Sequence, residues 1–153
     1  MMHNWFECKI RYEKVAENGM NKKVTEPYLV DALSFTEAES RIIEEITPFI
    51  SGEFTVADIK RANYSELFPC EEDAADRWFK CKLYFITLDE KSGAEKKTAT
   101  NVLVQASDLR DAVKKLDEGM KGTMADYQIA SVAETAIMDV YPYSAEPNDK
   151  PEV

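Results

Sequence analysis

Trp5-Phe6-Glu7-Cys8-Lys9 returns 73 residues later as Trp78-Phe79-Lys80-Cys81-Lys82. Lys22-Lys23 returns as Lys96-Lys97, Leu29-Val30-x-Ala32 as Leu103-Val104-x-Ala106, and Ala38 as Ala112. Leu67-Phe68-Pro69 and Val140-Tyr141-Pro142 close the two copies. Matches that keep their order over a whole unit mark an internal duplication, which restricts the fold to two similar substructures. A unit of roughly 65 residues is marginal alone, because it buries too small a share of its surface. The expectation is two repeats, 1–69 and 78–142, packed as one globular domain, with 70–77 as an acidic linker and 143–153 as a disordered tail.

Each repeat reads as strand, hairpin, strand, helix, strand. From Phe6 to Tyr12 apolar and charged residues alternate, the period of a strand with one wet face. Phe6, Cys8, Ile10 and Tyr12 should point inward, as should Phe79, Cys81, Leu83 and Phe85. Asn18-Gly19 and Asp89-Glu90-Lys91-Ser92-Gly93 supply the turns. Second strands follow near Lys23–Val30 and Lys97–Val104, where Pro27 argues for an edge or a bulge because proline cannot donate to a ladder. Ser34-Phe35-Thr36-Glu37 is a capping box. Phe35, Ala38, Ile42, Ile43 and Ile46 form one helical stripe, and Leu109, Ala112, Val113, Leu116 and Met120 repeat it behind Asp108. Third strands are expected at 54–62 and 127–135, and Tyr64–Phe68 and Ile137–Tyr141 as a further strand or a turn. The fold class is α+β: tandem ββαβ units, an antiparallel sheet with two helices packed on one face.

The net charge of −10 is unevenly placed. Residues 70–77 hold four acids against one arginine, and 143–153 three acids against one lysine, together half the net charge. Nucleic-acid binding needs clustered Lys and Arg, and an acidic mimic needs dense carboxylates on one folded face; neither pattern is present. No apolar run approaches the ~20 residues of a membrane-spanning helix, and the first residues lack a basic-then-apolar leader. Three cysteines without a CxxC pair read as free thiols in a reducing compartment, which places the chain in the cytoplasm.

Catalytic chemistry is absent from the pattern. His3 is the single histidine and sits at the terminus, which leaves no catalytic triad and no histidine metal site. Cys8 and Cys81 lie on inward faces, where a thiol is inert. Glu71-Glu72-Asp73 with Asp76 lacks the glycine and spaced oxygens of a calcium loop, and Gly119-Met120-Lys121-Gly122-Thr123 lacks the phosphate-loop spacing. No catalytic residue, metal ligand or cofactor is expected. Trp5, Lys9 and Arg11 with Trp78, Lys82 and Tyr84 fall on the outer sheet face, a candidate interaction surface, since Trp is enriched at hot spots. The competing reading has each tryptophan capping the sheet edge or packing under the neighbouring repeat. Tyr12, Tyr28, Tyr127 and Tyr141 could instead line a pocket at the repeat junction.

Trp5-Phe6-x-Cys8-Lys9, the stretch from Lys22 through Val24-Thr25-Glu26-Pro27-Tyr28 to Glu39, and Ala133-Glu134-Thr135-Ala136-Ile137-Met138-Asp139-Val140 resemble a family of small bacterial proteins. The family is that of domain of unknown function 4494, found chiefly in gut Bacteroidetes and their mobile elements. The resemblance runs to Tyr143 and implies a bacterial cytoplasmic protein; it transfers no activity and no site residues. The reading that follows is a non-catalytic cytoplasmic module that binds a protein partner or itself, linked to phage or mobile elements. The alternative is a small-molecule binder or enzyme with a pocket at the repeat junction.

Overall fold

The computed structural model describes residues 4–142. His3 and the tail 143–153 lie outside them. The order of elements repeats: β1 (Trp5–Val15), β2 (Asn21–Asp31), α1 (Phe35–Ile46), β3 (Phe54–Ala62) and β4 (Glu66–Phe68), then β5 (Arg77–Leu88), β6 (Glu95–Ala106), α2 (Leu109–Gly119), β7 (Asp126–Glu134) and β8 (Val140–Tyr141). The α+β class and the duplicated ββαβ topology are as expected. The sheet is resolved into two mixed four-stranded sheets, ordered β3-β1-β2-β8 and β4-β6-β5-β7.

The repeats and the compact units do not coincide. One unit contains the chain to Ala62 and again from Ile137; the other is Asn63–Ala136. Each sheet takes three antiparallel strands from one repeat and a short parallel fourth strand from the other. Strand β8 runs beside β2 with Leu29 opposite Val140 and Val30 opposite Tyr141. Strand β4 runs beside β6 with Leu103 opposite Leu67 and Val104 opposite Phe68. These are equivalent positions in equivalent register. The backbone bond entering each strand is also duplicated: Met138 donates to Pro27 (2.8 Å) and Ser65 to Asn101 (2.8 Å). Pro27 is accommodated because its carbonyl, and so its missing N–H, faces away from β1, toward the chain entering β8.

In the first unit Phe6, Cys8 and Ile10 of β1 pack with Tyr28 and Val30 of β2 beneath Ala38, Ile42 and Ile46 of α1. In the second, Cys81, Leu83, Val102, Val104, Leu116 and Met120 form the matching cluster. The inward alternation thus holds in both copies. Three stripe residues diverge: Phe35 and Leu109, in the first helical turn, are half exposed, and Ile43 is exposed as well. Phe35 still meets Phe6 edge to face, with centroids 4.9 Å apart.

Ser34 and Asp108 cap their helices, accepting from the amides of Glu37 (3.1 Å) and Asp111 (2.8 Å). A cap of this kind contributes about 1 kcal/mol. The reciprocal carboxylates reach one residue further back than a standard capping box, to the amides of Leu33 and Ser107. Strands β3 and β7 carry a bulge at the same place, opposite Lys9/Ile10 and Lys82/Leu83, with Ala57 and Ala130 as the extra residues.

The 70–77 segment is anchored rather than free. Ala75 is buried, the Cys70 amide donates to Gln105 Oε1 (2.8 Å), and Glu72 accepts from Lys115 Nζ (3.1 Å).

Candidate functional site

The outer face proposed from the tryptophans is not a free surface. Trp5 is 4 % exposed and Trp78 5 %. Strand alternation places them correctly, opposite Phe6 and Phe79, but at that end of each sheet both faces are covered. Leu29 and Leu103, on the same outer faces, are fully buried, and Asp31 beside Trp5 is also buried. The signal was present in the unbroken apolar runs Tyr28-Leu29-Val30 and Val102-Leu103-Val104, which mark a strand buried on both sides. Lys9, Lys82 and Tyr84 are half-buried, and Lys82 Nζ sits 5.4 Å from the Tyr84 ring centroid. Of the six residues only Arg11 is exposed.

The four tyrosines are divided between two cores. Tyr12, Tyr28 and Tyr141 belong to the first hydrophobic cluster, and Tyr127 packs on the second. Tyr28 and Tyr141 stack with centroids 6.3 Å apart. Burial, then the negative charge of Asp139, pushes the Tyr141 hydroxyl up to about 12. Tyr127 donates to Asp117 (3.2 Å) in its own unit.

A groove of about 1220 Å³ opens in the first unit, a feature the sequence reading missed. One wall is the far end of the β1–β2 hairpin, with Arg11, Glu13, Lys14, Val15 and Lys23; the other is the return from α1, Phe49 to Thr55, with Glu53. That return is a 3-10 turn at Thr47–Phe49 followed by Gly52 at φ 96°, where a side chain would be strained. It leaves Phe49 at 77 % exposure, and Val15 on the hairpin is 69 % exposed.

Two groove residues are tied to Glu26, which lies outside the lining. Tyr12 donates to Glu26 Oε1 (2.8 Å) and Lys14 Nζ lies 3.3 Å from Glu26 Oε2. Burial and this hydrogen bond raise the Tyr12 hydroxyl to about 12. Among the described residues Arg11 and Lys23 enter no ion pair. The second repeat places Tyr84 and Thr87 where Arg11 and Lys14 stand, so those two cations belong to one repeat, whereas Lys23 recurs as Lys97.

Cys8 and Cys81 have no nucleophilic environment. Cys8 and Cys81 are fully buried and unlinked. Burial, reinforced by Glu7, raises Cys8 to about 12, and burial alone raises Cys81 to about 11. Among the described residues no cluster of His, Cys, Asp and Glu is placed to hold a metal, and no helix is long and apolar enough to cross a membrane.

The fold therefore defines an α+β protein of two duplicated ββαβ repeats that exchange their closing strands. The chain belongs to the family described as domain of unknown function (DUF4494), whose model matches residues 4–143. No curated protein and no solved structure matches it.

Proposed function

We propose that this chain is a non-catalytic module of the bacterial cytoplasm that binds another protein through the groove of its first unit. The observation that carries the reading is the groove's makeup: exposed Phe49 and Val15, with Arg11, Lys14 and Lys23 set beside Glu13 and Glu53. Aromatic and arginine side chains are the groups that most often anchor protein interfaces. Arg11 and Lys23, which enter no ion pair among the described residues, favour a segment that joins acidic to apolar residues. The buried, unlinked thiols fit a reducing compartment. The bacterial setting, and a link to phage or mobile elements, rest on the family resemblance.

The test compares affinity capture from the native cell by the wild-type chain and by Phe49→Ala/Arg11→Glu. Both substituted side chains are exposed, so melting should stay near wild type. The expected result is loss of a specific protein from the variant's capture. An unchanged set of captured proteins would sink the groove reading.

A further inference from the structure

We propose that a second copy of this chain can complete the first unit's sheet, with β8 of one molecule seated on β2 of another in the parallel register its own β8 now occupies. This inference is independent of the groove. It starts from the topology, in which neither sheet takes its fourth strand from its own repeat. A docking edge that accepts a strand from elsewhere in the chain recognises local chemistry, not covalent origin.

That chemistry is the same at both edges. Each accepted strand is aliphatic–aromatic–proline: Leu67-Phe68-Pro69 on β6, Val140-Tyr141-Pro142 on β2. Each aromatic ring joins the receiving core, Phe68 against the second cluster and Tyr141 against the first. Each helix sends a cation from an equivalent position to the chain just past the strand. Arg41 Nη2 reaches the Pro142 carbonyl (3.2 Å), and Lys115 Nζ reaches Glu72 (3.1 Å). Backbone pairing along an edge plus a side-chain pocket is how extended segments add to sheets.

Strand β8 is the shorter of the two accepted strands. It is two residues long and follows the five-residue connection Thr135–Asp139. Supplied by a second molecule it makes the same bonds, so the two arrangements differ mainly in effective concentration. Dilute chains close on themselves; chains that fold together when concentrated, or whose connection is too short, exchange. The occupant is a second copy because the matching segment is the chain's own.

Two full-length versions differing only in mass label are unfolded together at high concentration, refolded and read by native mass spectrometry. A mixed-mass dimer is expected, depleted by Tyr141→Asp and enriched by deletion of Ala136. To fix the strand's position, one version carries Pro27→Cys and the other Met138→Cys, both on a Cys70→Ser background. Oxidation should then give a disulfide-linked heterodimer. Monomers alone, or a dimer that persists undiminished in Tyr141→Asp, would overturn the proposal.

Discussion

At the scale of single residues, the tryptophans and cysteines make opposite cases about reading strand faces. Alternation correctly assigned Cys8 and Cys81 to the cores because each is flanked on its own face by large apolar residues. It assigned Trp5 and Trp78 to the other face correctly as well, yet said nothing about what covers that face. An indole at 4 % or 5 % exposure contributes through packing. Trp5→Ala and Trp78→Ala should each therefore lower stability by roughly 3–5 kcal/mol, measured by denaturant unfolding; a loss below 1 kcal/mol would return them to the surface. The thiols give a pH prediction. Their folded values, about 12 and about 11, lie above the ordinary 9.0. Above pH 9 the unfolded state loses these protons while the folded state keeps them, so stability is intact below pH 9 and falls as pH rises toward 12. Tyr12 and Tyr141, raised from 10.0, add the same trend only at higher pH. Between pH 9 and 10 the slope of stability against pH should thus flatten in Cys8→Ala/Cys81→Ala. An unchanged slope would show that the thiols are hydrated.

At the scale of elements, most of the pattern was legible. The third strand of the first repeat was expected at 54–62 and is found there, and its copy is offset by one residue. Both N-caps are where Ser34 and Asp108 put them, since a short oxygen-bearing side chain before an amphipathic run has few other uses. The fourth strands were not legible. Leu67-Phe68 and Val140-Tyr141 are equally apolar, equally short and equally followed by proline, so local chemistry could not say which edge each would join. The groove was missed for another reason: it depends on how far a turn displaces Phe49, and no periodicity encodes that. The clamp on β8 can be tested directly. The Leu29 amide donates to the Asp139 carbonyl (3.0 Å), and Arg41 holds the chain three residues on. Arg41→Ala should speed hydrogen exchange at Leu29 by about tenfold, corresponding to ~1.4 kcal/mol of local opening at RT ln 10, while Leu103 in the other unit is unchanged. Equal acceleration at both amides would mean global destabilisation instead.

At the scale of the whole molecule, sequence neighbourhood and structural membership part company. A chain shortened to end at Ala136 loses residues that adjoin β7 of the second unit in sequence. The damage should nevertheless appear in the first, as lost exchange protection along Tyr28–Val30 with β5 and β6 protected as before. Loss confined to the second unit would contradict the exchanged topology. The same arrangement sets a timetable for a growing polypeptide. Synthesis delivers the first three strands of the first unit earliest, but its sheet waits for Ile137–Tyr141, made after every residue of the second unit. The unit begun first is finished last, and until then β2 presents a bare edge to whatever nascent chain is nearby.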